Sequence, residues 1–159
     1  MRCVVDTNVI VDVMDDDPRF GRPSADRLQN ALQGHALVVP PFVVCELLCG
    51  GKSQTQVDGF LRGSRIEFIE IVPLEAYRLA AERFWLYLAR HRRDPGVVEC
   101  PACGRNNRPT CSECGEALAA RRLPMDYLIG AFALCSGDSR ILTRDAGVYG
   151  RDFRDVRVV

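Results

Sequence analysis

Four acidic residues lie in apolar stretches of the sequence, where a charged side chain is unusual. Asp6 directly follows an apolar run near the N-terminus, and Glu46 interrupts the apolar run 42–48. Asp126 opens another apolar segment, and Asp145 ends a strand-like stretch. A carboxylate flanked by large apolar side chains is costly to bury unless something pairs with it. If these carboxylates are buried in the folded protein, each therefore needs a partner for its charge.

A shared divalent cation would be such a partner. Clustered carboxylates resist ionising together, and Mg²⁺ or Mn²⁺, which prefer oxygen ligands, would relieve their repulsion. A bound ion can lower the pKa of water and neutralise charge that develops on a scissile phosphate. Neither His35 nor His91 is a convincing general base, since both are better explained as structural or solvated side chains. The acids thus suggest metal-dependent phosphodiester hydrolysis.

Three of the acids also have structural explanations. Asp6 could cap a first helix, Asp126 could complement the dipole of its helix from the first turn, and Asp145 could belong to a turn. Helix capping explains Glu46 poorly, because this residue is expected in the middle of a helix. Spacing alone does not bring the four acids together, so the fold has to do so.

The chain alternates strand-like apolar runs with segments of helical periodicity. Alternation of this kind predicts a mostly parallel sheet with helices on both faces. Ser24 is expected to cap the second helix, and Phe84 and Trp85 are expected in the core. The predicted strands are 2–5, 36–39, 66–72, 141–143 and 156–158, and the predicted helices are 9–14, 24–33, 42–48, 55–61, 74–91 and 124–135.

Length and charge point to one soluble domain. The 159 residues suit a single domain, and 21 basic and 21 acidic side chains give no net charge that would attract polyanions. No apolar run approaches the roughly 20 residues that a membrane span needs. The N-terminus enters a strand without the pattern of a signal peptide, so a cytoplasmic location is expected.

Four of the eight cysteines form two C-x2-C-G knuckles within residues 96–122, whose composition marks an insertion. Paired knuckles are typical of a closed tetrahedral thiolate site, so a structural Zn²⁺ is expected, with iron or a redox dithiol pair as alternatives. The remaining cysteines are expected to be buried small hydrophobic residues. The knuckle cysteines are Cys100, Cys103, Cys111 and Cys114, and the others are Cys3, Cys45, Cys49 and Cys135.

Any contact with nucleic acid has to be local, because the net charge is zero. Arginines cluster within and beside the cysteine-rich insertion, although each one alone could simply solvate a helix end or a loop. The RNA-binding candidates are Arg92, Arg93, Arg105, Arg108, Arg121 and Arg122.

The sequence resembles the PIN-domain nucleases. The likeness lies in segments 5–10 (VDTNVI), 124–134 (PMDYLIGAFAL) and 141–145 (ILTRD), together with Glu46 in a hydrophobic helix. The order and approximate spacing agree over nearly the whole chain outside the insertion. The resemblance implies a three-layer α/β/α sandwich with a small mostly parallel sheet, here carrying an inserted four-cysteine zinc ribbon.

The resemblance also implies an activity, which is divalent-metal-dependent cleavage of RNA. Asp6, Glu46, Asp126 and Asp145 would then be the catalytic carboxylates that bind Mg²⁺ or Mn²⁺. The supporting polar groups near them would be Thr7, Asn8 and Thr143.

In its small size and lack of appended domains, the sequence resembles the VapC-type toxins of toxin–antitoxin pairs. This likeness implies a homodimer that a cognate antitoxin silences. The embedded ribbon departs from that pattern, so an RNA-processing nuclease similar to ribosome-maturation endonucleases is the first alternative. A non-catalytic zinc-ribbon adaptor for RNA or protein is the second. A phosphatase with an aspartate nucleophile fits less well, because its usual second aspartate is Asn8 here.

Overall fold

A parallel sheet organises the part of the chain that the computed structural model describes, which comprises residues 1–91, 98–99, 106–107, 113, 123–137 and 139–159. The strands are β1 (Arg2–Val5), β2 (Ala36–Val39), β3 (Ile66–Phe68), β4 (Val98–Glu99), β5 (Asn106–Asn107), β6 (Arg140–Leu142) and β7 (Arg157–Val158). The helices are α1 (Thr7–Met14), α2 (Gly21–Gly34), α3 (Pro41–Cys49), α4 (Gln54–Gly63), α5 (Leu74–His91), α6 (Met125–Cys135) and α7 (Gly147–Asp152).

The main sheet has the strand order β3-β2-β1-β6-β7, and each neighbouring pair is parallel. Strands β2 and β3 follow β1 on one side of it, and β6 and β7 lie on its other side. In the register between β1 and β6, Val5 pairs with Leu142. The strand order thus reverses between β1 and β6, and ligands of open α/β sheets bind beyond the carboxyl ends at such a point.

Helices cover both faces of the sheet. Cys3, Val4 and Val5 are all buried, although successive side chains of a strand point to opposite faces. Helix α2 packs against β2 and β6, α6 packs against β1 and β6, and α5 packs on α6. The three-layer α/β/α architecture predicted from the sequence is therefore confirmed.

Each predicted strand and helix exists, with shifted ends in several cases. Strand β3 ends at Phe68 rather than at residue 72. Helix α2 begins at Gly21, so the prediction that Ser24 caps this helix is wrong. The buried Ser24 hydroxyl instead donates a hydrogen bond of 2.8 Å to Asp12 Oδ2. Helix α7 was not predicted, because its six residues include two glycines, which weaken any helical signal.

Two core predictions need correction. Trp85 is 67% exposed, whereas its neighbour Phe84 is half-buried and packs against Tyr127 with ring centroids 5.3 Å apart. Consecutive helical residues differ by about 100° around the axis, so only one of the two side chains faces α6. The prediction that Cys45 and Cys49 are buried is also wrong, because both are exposed, one turn apart on α3.

Of the other free cysteines among the described residues, Cys3 is buried as predicted and Cys135 is half-buried. The four knuckle cysteines Cys100, Cys103, Cys111 and Cys114 lie outside the described residues. So do the six arginines Arg92, Arg93, Arg105, Arg108, Arg121 and Arg122. Within that segment, β4 and β5 pair antiparallel. The zinc ribbon and its arginines therefore stay predictions.

Gly130 of α6 allows a close approach of Phe153, and replacing it with alanine tests that contact. A Cβ atom at this position would lie 2.9 Å from the Cγ and Cδ2 atoms of the fully buried Phe153 ring. We expect Gly130→Ala to lower the free energy of unfolding by about 1–3 kcal/mol, measured by denaturant titration. Gly59→Ala on α4 is the matched control, because a Cβ there has no atom within 4 Å. It should be neutral or stabilise by up to about 1 kcal/mol, and equal effects of the two variants would contradict the packing argument.

Candidate active site

Asp6 lies where β1 passes into α1, and it is only 3% exposed. Its backbone amide donates a hydrogen bond of 2.9 Å to the carbonyl oxygen of Leu142, so the sheet itself fixes its position. Asp6 occupies the N-cap position of α1, but its side chain makes no capping hydrogen bond. Helix capping therefore does not explain this buried carboxylate.

Three donors converge on one oxygen of Asp6. Its Oδ2 atom accepts hydrogen bonds from Thr143 Oγ1 at 2.7 Å, Asn8 Nδ2 at 2.9 Å and the Tyr149 hydroxyl at 3.2 Å. Burial raises the pKa of Asp6, and the hydrogen bonds from Thr143 and Tyr149 oppose that rise. The carboxylate is thus buried, oriented and held by neutral donors.

Hydrogen bonds connect the segment after β6 to α1 and α2. The amide of Arg144 donates to Asn8 Oδ1 at 3.1 Å, and the amide of Asp145 donates to Thr143 Oγ1 at 3.0 Å. Arg27 of α2 donates through Nη1 to the carbonyl oxygen of Thr143 at 3.0 Å. These bonds hold the two polar side chains beside Asp6.

Glu46 reaches the same region from α3, which begins immediately after β2 with Pro40 at its N-cap. The hydroxyl of Thr7 donates a hydrogen bond of 2.5 Å to Glu46 Oε2. Burial raises the pKa of Glu46, the bond from Thr7 opposes this rise, and the charge of Asp6 adds to it. The side chain in the middle of a hydrophobic helix is therefore directed at the other acids.

Asp126 is the acid that the other three influence together. It lies in the first turn of α6, as the sequence predicts. Burial, followed by the charges of Asp6, Glu46 and Asp145, raises the pKa of Asp126 to about 6. An acid that only complements a helix dipole would be stabilised in its charged form. The direction of the pKa shift therefore indicates that Asp6, Glu46 and Asp145 lie near enough to Asp126 for their charges to act on it.

Asp145 is the exposed member of these four acids, which we call the acid cluster. Its Oδ1 atom accepts a hydrogen bond of 2.8 Å from the amide of Gly147, so the turn expected here is present. The charge of Asp145 nevertheless contributes to the raised pKa of Asp126. Within the described residues, no group of three or more histidine, cysteine, aspartate or glutamate side chains is placed to hold a metal ion. The four acids are therefore related in this structure through the charges that act on Asp126.

Tyr149 is a site residue that the sequence reasoning missed. Burial, followed by the charges of Asp6 and Asp126, raises the pKa of Tyr149, so its hydroxyl stays a neutral donor. Its helix was not predicted, and the helical spacing between Tyr149 and Phe153 was the only available signal.

Asp12 is a second residue that was missed. It is buried on α1, and its Oδ2 atom accepts hydrogen bonds from Ser24 Oγ at 2.8 Å and Arg144 Nε at 2.9 Å. The guanidinium of Arg144 also lies over the Phe20 ring, 4.2 Å from its centroid. The cost of burying a carboxylate, which identified Glu46, would also have identified Asp12.

Comparison with known proteins identifies the family, because the sequence pattern of the PIN domain matches residues 3–156. The chain belongs to the PIN domain family. PIN domains are nucleases that generally use Mg²⁺ or Mn²⁺. The resemblance inferred from the motifs is therefore confirmed. No curated protein matches this PIN domain significantly.

Solved structures share the fold of this PIN domain at low sequence identity. A chain of VapBC2 from Rickettsia felis, in a crystal structure bound to a DNA fragment from their promoter, is 17% identical with a TM-score of 0.62. The likeness covers 100% of this chain and 98% of that chain. A chain of VapBC-1 from nontypeable Haemophilus influenzae is 15% identical with a TM-score of 0.59, covering 100% and 97%. In the part of this PIN domain that the structure describes, no helix is long and apolar enough to cross a membrane.

The charge cluster predicts an unusual dependence of stability on pH. The pKa of Asp126 is about 6 in the folded protein and 3.8 ordinarily, so the folded state keeps a proton that the unfolded chain releases. The free energy of unfolding should therefore fall as pH rises from about 4 to about 6. Asp126→Asn removes this loss, and it should stabilise the protein by on the order of 1–3 kcal/mol above that window.

The measurement is denaturant unfolding in chelator across pH, with Asp58→Asn on the exposed side of α4 as control. The advantage of Asp126→Asn should disappear below pH 3.8, where the carboxyl is protonated in both states. A stability difference that does not change with pH would refute the repulsion.

Proposed function

We propose that this PIN domain is a divalent-metal-dependent endoribonuclease in which Asp6, Glu46, Asp126 and Asp145 bind Mg²⁺ or Mn²⁺. The observation that carries the proposal is the carboxylate of Asp6, which is 3% exposed and held by three neutral donors while its charge, with those of Glu46 and Asp145, raises the pKa of Asp126. A cluster of repelling oxygen ligands is the donor set that these hard cations prefer. The residues therefore fit the metal that PIN nucleases generally use.

The residues around the acids orient them for that task. Thr143 and Asn8 hold the carboxylate of Asp6, and Thr7 holds that of Glu46. When bound, the metal would lower the pKa of a water molecule and neutralise charge on the scissile phosphate. The chain's contribution is to orient two of these carboxylates, those of Asp6 and Glu46, before the cation and the substrate bind.

A basic residue directly precedes one of the four acids in the sequence. Arg144 precedes Asp145, and its guanidinium is fixed by Asp12 and by the Phe20 ring while its side chain remains 37% exposed. Fixed arginines commonly contact phosphates of a nucleic-acid backbone, which they position without reading sequence. Arg144 thus supports a polynucleotide substrate, and the choice of RNA rests on the family resemblance.

The biological role we infer is the toxin of a toxin–antitoxin pair, with a cognate antitoxin as partner. Both structural neighbours described above come from VapBC assemblies. A homodimer is part of the proposal. Leu74, Tyr77 and Trp85 support it, because they lie on one side of α5 and are 57%, 44% and 67% exposed. Grouped apolar side chains of this kind often mark a protein interface.

Cleavage of cellular RNA tests the nuclease. Purified protein should release discrete fragments with Mn²⁺ or Mg²⁺ and none with chelator. Asp6→Asn should reduce the rate by at least about 100-fold, because a ligand to the cation is lost. Asp152→Asn is the matched control, since Asp152 is also buried but pairs with Arg90 and Arg151 outside the cluster. Metal-dependent cleavage retained by folded Asp6→Asn would refute the assignment.

A structural Zn²⁺ held by Cys100, Cys103, Cys111 and Cys114 is a separate proposal, supported by their paired knuckle spacing. Elemental analysis of the purified protein should find about one zinc per chain. Cys114→Ser should lose the zinc, whereas Cys135→Ser, which changes a half-buried free thiol, should keep it. A wild-type protein that contains neither zinc nor iron would contradict this proposal.

A further inference from the structure

The hydroxyl of Tyr149 connects the last helix of the chain to the acid at the end of the first strand. It donates a hydrogen bond of 3.2 Å to Asp6 Oδ2 across 143 positions of sequence. Tyr149 is 1% exposed, and its ring packs against that of Phe153 with centroids 6.5 Å apart. A phenylalanine would supply the same ring to the core. The hydroxyl is therefore the part of Tyr149 that packing alone does not require.

The three donors at Oδ2 determine which oxygen of Asp6 could face a cation. A carboxylate has roughly four lone-pair sites on its two oxygens, so three donors leave Oδ2 no capacity for a further partner. Oδ1 is then the oxygen of Asp6 to which no side chain of the described residues donates in the bonds given above. Partial rotation of the carboxylate about its Cβ–Cγ bond would move its oxygen away from the three donors and break these bonds.

The three donors are not equivalent in how they restrain this rotation. Asn8 and Thr143 are joined to each other by a hydrogen bond of 3.1 Å, so they form a single unit. Tyr149 comes from α7, an element that carries no other residue of the proposed site. Its hydroxyl is therefore a second, separate fixed point for the carboxylate of Asp6.

We propose that Tyr149 is a positioning residue, which holds Asp6 with one oxygen presented to the divalent cation. This inference rests on the proposed metal-dependent function and adds a residue that acts through Asp6. Outer partners of metal ligands fix ligand orientation, and their loss typically weakens metal binding by about 10–100-fold. Removing the Tyr149 hydroxyl should thus weaken the metal site without disturbing the core.

The chain offers a matched control in a second buried tyrosine. Tyr127 is 2% exposed, and its hydroxyl donates a hydrogen bond of 2.7 Å to Oδ2 of Asp152, which is also 2% exposed. The rings of Tyr127 and Tyr149 pack against the same Phe153, at 5.5 Å and 6.5 Å. Tyr127→Phe therefore removes the same chemical group, from the same kind of partner, outside the acid cluster.

The test is a titration of Mn²⁺ followed by electron paramagnetic resonance, which measures the free ion, on the wild type, Tyr149→Phe and Tyr127→Phe. Tyr149→Phe should bind Mn²⁺ about tenfold more weakly, and Tyr127→Phe should match the wild type. RNA cleavage by Tyr149→Phe should fall at low Mn²⁺ and recover at saturating Mn²⁺. Thermal unfolding in chelator verifies that both variants are folded.

The other outcomes separate the two hypotheses. Wild-type Mn²⁺ affinity in Tyr149→Phe would overturn the positioning role alone, and so would equal losses in both tyrosine variants, which would indicate a general packing effect. A wild-type protein that binds no Mn²⁺ would overturn the proposed metal site together with it. In an Asp6→Asn background, removal of the Tyr149 hydroxyl should leave any residual Mn²⁺ affinity unchanged. A further loss in that background would show that Tyr149 does not act through Asp6.

Discussion

The parallel pairing of β1 with β6 is the constraint on which the site depends. The amide of Asp6 is bonded to the carbonyl oxygen of Leu142, so Thr143 emerges from the neighbouring strand directly beside Asp6. Strand register leaves no freedom here, because a slip of one residue would turn every side chain to the opposite face. The chain adds β6 to the other side of β1 from β2, and ligands of open α/β sheets bind beyond the carboxyl ends of the strands at such a reversal. The side chains of the site line that edge because the backbone brings them there.

The acid cluster works against the stability of the fold that assembles it. Burial raises the pKa of Asp6, Glu46 and Asp126, and the charges of neighbouring acids add to the rise at Glu46 and Asp126, so ionisation of these carboxyls at neutral pH costs free energy. The apolar core around β1 and the hydrogen bonds to Asp6 and Glu46 offset that cost. Local destabilisation of this kind is expected at a functional site, where ligand binding and not folding has determined the residues.

Local signals in the sequence predicted most of the fold and drew attention to the four acids as candidates. The apolar runs of the strands and the 3.6-residue period of α5 need no tertiary contact to be recognised, and the cost of burying Glu46 is visible from its neighbours alone. The errors arose where distant contacts decide. Trp85 has an apolar side chain, but the position of α6 determines which side of α5 is buried. Helix α7 contains two glycines and exists through its packing, so its residue Tyr149 was not recognised as a partner of Asp6.

The structure uses a buried Tyr–Asp pair twice, and the difference between the pairs distinguishes a structural acid from a site acid. Asp152 accepts a hydrogen bond from Tyr127 and also pairs with Arg90 and Arg151. Burial alone would raise the pKa of Asp152, but the bonds from Tyr127 and Arg151 outweigh it and lower the pKa. Among the described residues, the side chains that donate to Asp6 are neutral, and its pKa is raised. The protein therefore compensates the charge of Asp152 with its own cations, whereas it orients the carboxylate of Asp6 with neutral side chains, as the proposed cation site requires.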